Sequence, residues 1–103
     1  MTVKEFMLKS GAKMSLKGYD ELKKCIEMAI EDPDVPVSKI QMVVAERERS
    51  TYSRLERNVR TCIEKAYPFM DKELKKILFS GRERVTAGDY IKSVAYAIRK
   101  GVI

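Results

Sequence analysis

Apolar residues recur at intervals of three and four residues along most of the chain, which is the spacing of one face of an α-helix. The segments with this spacing are separated by Gly, Pro, Ser and Thr, and none alternates strictly between apolar and polar residues as a half-buried strand does. The pattern therefore predicts an all-α fold, a compact domain of about six helices.

The first two predicted helices have clear ends. Residues 3–10 form the first, and Gly11 closes it in a left-handed conformation. Ser15 is the predicted N-cap of the second, which ends at Asp32 and Pro33 because proline cannot continue a helix. The apolar stripe of this second helix comprises Leu16, Tyr19, Leu22, Cys25, Ile26, Ala29 and Ile30.

A short helix is predicted to begin at Ser38 and to run to Glu46. Gln41, three residues after Ser38, completes the pattern of a capping box, and Val37 with Met42 fits the accompanying hydrophobic staple. After the charged residues 46–49, Ser50 is the predicted N-cap of a longer helix that runs to about Tyr67.

Two further helices complete the pattern. Residues 71–79 form the fifth, closed by Gly81, and its predicted inward residues are Leu74, Ile77 and Leu78. Thr86 and Asp89 open the sixth. Its apolar residues are Tyr90, Ile91, Val94, Ala95 and Ile98.

The helix over residues 51–67 separates its charged and apolar residues most sharply when projected at about 100° per residue. Leu55, Val59, Cys62 and Ala66 share a narrow sector that predicts the core face, with Tyr52 and Ile63 at its margin. The opposite side carries Ser53, Arg57, Arg60 and Glu64, flanked by Arg54 and Glu56. This helix therefore presents three arginines on or beside its exposed face.

Such a face suits the major groove of DNA, where an Arg fork meets the two acceptors of guanine. Arg54 and Arg57 are the candidates for guanine, Glu56 for a cytosine amino group and Ser53 for a phosphate. With the short helix and the polar turn before it, the segment has the layout of a helix-turn-helix. The candidate DNA-binding residues are Ser50, Ser53, Arg54, Glu56, Arg57 and Arg60. The alternative is a solvated face in which Glu56 or Glu64 holds Arg57.

The charge balance agrees with a polyanionic partner. Lys and Arg total 21 against 15 Asp and Glu, a net charge of +6, and this potential would attract nucleic acid, an anionic membrane or an acidic protein. The sequence has no His, no Gly-rich phosphate loop and no nucleophile paired with a base, so we expect no enzyme activity, no cofactor and no metal. Cys25 and Cys62 fit buried apolar positions. Without a signal peptide or membrane span, we expect a cytoplasmic protein that does not enter a membrane.

Two stretches resemble one known family, the DNA-binding effector domain of the stage-zero sporulation protein A. The first is Ser53-Arg54-Leu55-Glu56-Arg57-Asn58-Val59-Arg60-Thr61-Cys62-Ile63-Glu64, which is similar to the recognition helix of that family. The second is Lys17-Gly18-Tyr19 followed by Leu22 and Cys25-Ile26-Glu27-Met28, in register with the first. The likeness continues through the last two predicted helices and so covers nearly the whole chain.

The resemblance implies a six-helix effector domain that binds promoter DNA and contacts the sigma subunit of RNA polymerase. It also implies that the residues matching the recognition helix face the DNA, and that copies sit in tandem on repeated sites. The family's effector domain normally follows a receiver domain, whereas this chain begins with the effector's first helix. We therefore expect residues 1–103 to be a single DNA-binding domain, monomeric in solution. The alternative is an interaction module of the same fold whose basic face binds an acidic protein.

Overall fold

The computed structural model describes all residues from Met1 to Ile103, and every regular element in it is helical. The elements are α1 (Val3–Lys9), α2 (Gly18–Glu31), α3 (Val37–Arg47), α4 (Tyr52–Ala66), a 3-10 turn (Tyr67–Phe69), α5 (Lys72–Phe79) and α6 (Ala87–Lys100). The predicted all-α domain of about six helices is confirmed. None of the helices has the length and apolar character needed to span a bilayer.

One hydrophobic core holds the six helices together. A single cluster of 22 buried residues draws members from each of them. Helix α2 lies at the centre and packs against α6, α4, α3 and α1, while α3 and α4 pack against each other. Lys92 of α6 donates to the carbonyls of Pro33 and Val35, which ties the link between α2 and α3 to the last helix. The position of α4 is therefore set by the core of the whole domain.

The start of α2 differs from the prediction. The helix begins at Gly18 with Lys17 as its N-cap residue, and no side chain caps it, so Ser15 is not the N-cap. The preceding residues form a turn in which Leu16 N donates to Lys13 O and Tyr19 N donates to Leu16 O, each at 3.0 Å. Because carbonyls of the turn meet these amides, the helix has less need of a hydroxyl cap.

The predicted capping box of α3 is wrong. This helix begins at Val37, and its N-cap is Pro36, whose carbonyl accepts from Ile40 N at 3.1 Å but whose ring has no acceptor for a free amide. Gln41 turns inward and is buried instead of reaching back to the helix start. Met42 is 56% exposed, so the predicted staple with Val37 is also absent.

The N-cap of α4 is Thr51 and not Ser50. The Thr51 hydroxyl accepts from Arg54 N at 3.2 Å, the usual bond between an N-cap side chain and the third helical residue. Ser50 lies one residue earlier, and its amide donates to Ala45 O at 2.8 Å to close the end of α3. Ser50 therefore belongs to the turn.

The remaining helix ends follow the prediction more closely. Gly11 and Gly81 both have positive φ, and the Thr86 hydroxyl caps α6 by accepting from Asp89 N at 3.1 Å. A Thr2–Glu5 capping box at α1 was not foreseen. Ile77 is 53% exposed, so its predicted inward position is wrong. The short helix α5 buries Leu74 and Phe79, which leaves Ile77 on the outer side.

Both cysteines are buried, in agreement with the sequence interpretation. Cys25 in α2 and Cys62 in α4 are free thiols in the hydrophobic core. Burial raises the pKa of Cys25 to about 12 and the pKa of Cys62 to about 11. Because both thiols stay protonated at neutral pH, they act as small apolar groups.

Candidate nucleic-acid interface

Helices α3 and α4 are joined by a tight turn of four residues, Glu48 to Thr51. Arg49 adopts the left-handed conformation, with φ of 53°, and its amide donates to Glu46 O at 3.1 Å. A short helix, a turn held by backbone hydrogen bonds and a longer second helix form the predicted helix-turn-helix. The turn fixes the direction in which α4 leaves α3.

The inner face of α4 is the one that the sequence predicted. Leu55, Val59, Cys62 and Ala66 are all buried, and Ile63 at the margin is buried as well. Tyr52, the other marginal residue, is 42% exposed. Because the apolar face is buried in the core, the polar face of the same helix must point away from the core.

The outer face of α4 brings together five of the six predicted site residues. Ser53, Arg54, Arg57 and Arg60 are exposed, and Glu56 is half-buried beside them. Ser50 lies in the turn before the helix and is also half-buried. The first turns of α4 therefore form one continuous polar surface, here called the α4 outer face (Ser53, Arg54, Glu56, Arg57 and Arg60).

The arginines of the α4 outer face differ in their ion pairing. Arg60 Nε lies 3.1 Å from Glu56 Oε1, one helical turn away. Neither Arg54 nor Arg57 takes part in an ion pair, so neither Glu56 nor Glu64 holds Arg57 as the alternative interpretation supposed. Two unpaired guanidinium groups are thus left with all their side-chain donors free for an external acceptor.

Helix α2 supports α4 from behind by close backbone contact. A Cβ placed on Gly18 would lie 2.1 Å from the backbone oxygen of Asn58, so only glycine permits this approach. Asn58 Nδ2 donates to Glu21 Oε1 at 3.1 Å, and burial raises the pKa of Glu21 despite this hydrogen bond. Lys24 Nζ binds Glu48 Oε1 at 2.8 Å and ties α2 to the turn. These contacts fix the distance between α4 and α2 and the rotation of α4 about its own axis.

Further basic residues, which were not among the predicted site residues, lie near the start and the cleft side of the α4 outer face. Arg49 is exposed in the turn before α4, whereas Arg47, the exposed last residue of α3, lines a separate cleft with α2. Arg84, in the link between α5 and α6, lines the same cleft as Arg60. Arg84 lies more than 20 residues after Arg60 in the sequence, so no local pattern indicated that the two line one cleft.

The chain matches one family model over most of its length. The family model described as "Sporulation initiation factor Spo0A C terminal" matches residues 3–98, which include α1 to α5 and most of α6. No curated protein matches the chain. The matched region contains the helix-turn-helix, the Gly18 contact and the whole α4 outer face.

Proposed function

Because the chain belongs to the Spo0A C-terminal family, whose members are DNA-binding domains of sporulation transcription factors, we propose that it is a sequence-specific regulator that reads double-stranded DNA with α4. One observation carries the proposal. Arg54 and Arg57 stand exposed and unpaired on the first turns of a helix whose opposite face is buried. A helix supported in this way fits the width of the major groove.

The α4 outer face offers a division of roles. Arg54 and Arg57 have free guanidinium groups, which supports bidentate binding to the O6 and N7 acceptors of guanine. Ser53 and Ser50 lie near the start of the helix, where a hydroxyl can donate to a backbone phosphate. Glu56 accepts from Arg60 through Oε1, which leaves Oε2 free to accept from a cytosine amino group. Because Arg60 already holds this carboxylate, we assign the pair a secondary part in recognition.

The partner and assembly proposals rest on the family relationship. We propose that the chain is cytoplasmic, contacts the sigma subunit of RNA polymerase, and is monomeric until DNA brings two copies together.

Sedimentation without DNA is expected to show a monomer. On DNA, two sites about 10 base pairs apart are expected to bind more tightly per site than one, since that spacing places both copies on one DNA face. A stable dimer in DNA-free solution would contradict the first expectation, and equal affinity per site would contradict the second.

Salt dependence tests whether DNA is the partner of the basic surface. The affinity for duplex DNA is expected to fall linearly on a log–log plot as salt rises, with a slope of about −0.9 for each phosphate contacted, because bound phosphates release condensed counterions. Fluorescence anisotropy of a labelled duplex across a salt series measures the slope. A flat response, or binding only to acidic protein ligands, would instead favour the interaction-module alternative.

A further inference from the structure

A cleft of about 560 Å³ opens beside the α4 outer face, between α3, α4 and the start of α6. Glu56 and Arg60 form part of its wall, and Gln41, Arg84 and Gly88 line it from the other elements. The cleft therefore shares residues with the surface that we propose to face DNA, yet most of its lining comes from outside α4.

Three helices present their first turns to this cleft, at Val37 of α3, Tyr52 of α4 and Ala87–Gly88 of α6. Free amides at a helix N-terminus carry a partial positive charge and bind anions. No side chain caps the start of α3, so its first amides have no capping acceptor. Gly88 has open space where a Cβ would stand, since the nearest atom is the Thr86 hydroxyl at 3.9 Å.

Gln41 is a second, independent indication of a ligand site in this cleft. Its side chain lines the cleft and is only 3% exposed, and its Nε2 atom has no hydrogen-bond partner. An unpaired buried amide is costly. Because Nε2 is buried at the cleft wall, a rotation of the Gln41 side chain would bring it to an oxygen acceptor bound in the cleft. The unpaired Gln41 amide and the free amides at the helix starts are all hydrogen-bond donors. They would therefore bind the same kind of group, an oxygen that accepts hydrogen bonds.

The side-chain charges at the cleft leave one arginine available. Glu56 and Arg60 are paired with each other, whereas Arg84 has no ion pair. The link that carries Arg84 is anchored, because the Tyr67 hydroxyl donates to Arg82 O at 2.6 Å and the Arg82 guanidinium lies 3.6 Å from the Asp89 carboxylate. Glu64 is the remaining acidic group in the lining. Arg84 is therefore an unpaired cation in the lining of a cleft that also contains the starts of three helices.

We propose that this cleft holds one phosphate of the DNA backbone, next to the bases that Arg54 and Arg57 contact, with Arg84, the start of α6 and Gln41 as its ligands. The proposal rests on the proposed function, and it adds a contact that lies outside the helix-turn-helix. Arg60 lines the cleft and follows Arg57 by three residues, a rise of about 4.5 Å along α4, so the cleft adjoins the part of the helix that carries Arg57. The contact would fix the angle of α4 in the groove without reading a base.

The first test compares Arg84→Ala with Lys100→Ala, which removes the same charge from the far end of α6. Arg84→Ala is expected to weaken specific and random duplexes alike by about fivefold and to make the log–log salt slope shallower by about one phosphate. Lys100→Ala is expected to leave the slope unchanged. Equal slopes for wild type and Arg84→Ala would overturn the proposal.

Neutral phosphates locate the contact directly. A set of duplexes, each with a methylphosphonate at one backbone position, is titrated with wild type and with Arg84→Ala. One position is expected to weaken wild type by about fivefold and to leave Arg84→Ala unaffected, because the variant has already lost that contact. If every position affects both proteins equally, the cleft holds no phosphate. Tight wild-type binding in that case would leave the proposed function standing, whereas absent wild-type binding would refute the function itself.

Gln41→Met separates a binding role from a structural one. Methionine has nearly the same volume and removes the unpaired amide, so the variant is expected to unfold at a higher temperature than wild type. Its DNA affinity is expected to fall by about threefold, because a hydrogen bond to the phosphate is lost. A variant that gains stability and binds DNA as tightly as wild type would remove Gln41 from the site.

Discussion

Replacing Gly18 with Ala is expected to lower the free energy of unfolding by about 3 kcal/mol or more, as an overpacked contact does. The added Cβ would lie 2.1 Å from the oxygen and 2.6 Å from the carbonyl carbon of Asn58, and 3.0 Å from Cys62 Cβ. Two of these atoms are backbone, so relief requires α2 and α4 to separate. Urea denaturation followed by circular dichroism measures the loss.

Gly88→Ala is the matched control for this substitution. Gly88 also lies in a helix, but a Cβ there meets only the Thr86 hydroxyl at 3.9 Å. Because Ala is the better helix former, Gly88→Ala is expected to be neutral or to stabilise the domain by up to about 1 kcal/mol. If both substitutions changed the unfolding free energy equally, the close contact between α2 and α4 would be wrong.

Arg57→Ala is expected to weaken binding to the preferred DNA site by about 1–3 kcal/mol and to relax the preference at one base pair. The reason is that Arg57 is exposed and free of ion pairs, so its guanidinium can bind guanine without first breaking a contact within the protein. Titrations of the preferred duplex and of its single-base variants measure both the loss and the relaxed position.

Arg60→Ala is the comparison within the same helix. Arg60 is already bound to Glu56 at 3.1 Å, so its removal is expected to cost less specificity than the removal of Arg57. If Arg57→Ala weakened specific and random duplexes by the same factor, Arg57 would be a phosphate contact and its assignment to a base would be wrong.

The faces of the helices could be predicted from the sequence because periodicity depends only on local geometry. Leu55 and Val59 recur on one side of α4 and are buried, whereas Arg57 falls on the other and is exposed. The pairing of Arg60 with Glu56 also had a local signal, since Arg60 follows Glu56 by four residues. The sequence interpretation instead considered Arg57 as the partner of Glu56 or Glu64.

Helix starts were harder to predict because neighbouring residues compete for the cap. Ser50 and Thr51 both carry a suitable hydroxyl, and the bond from Ser50 N to Ala45 O leaves Thr51 as the cap. Pro36, and not Ser38, is the N-cap residue of α3, because the helix begins at Val37, earlier than the capping pattern indicated.

Contacts between distant segments had no signal in the periodicity. The need for glycine at position 18 arises only when α2 meets Asn58, and the cleft that joins Gln41 to Arg84 arises only when α3 and α6 pack beside α4. The resemblance marked Lys17-Gly18-Tyr19 as part of a motif, but its physical role became clear from the packing.

Selection from a pool of random duplexes tests the central claim, that α4 reads a DNA sequence, most directly. Wild type is expected to enrich a defined consensus containing guanine, and Arg57→Ala is expected to lose the preference at one of its positions while keeping the rest. Sequencing of the bound pool after successive rounds provides both results. A wild-type pool that remains random, although the protein binds duplex DNA, would contradict sequence reading by α4.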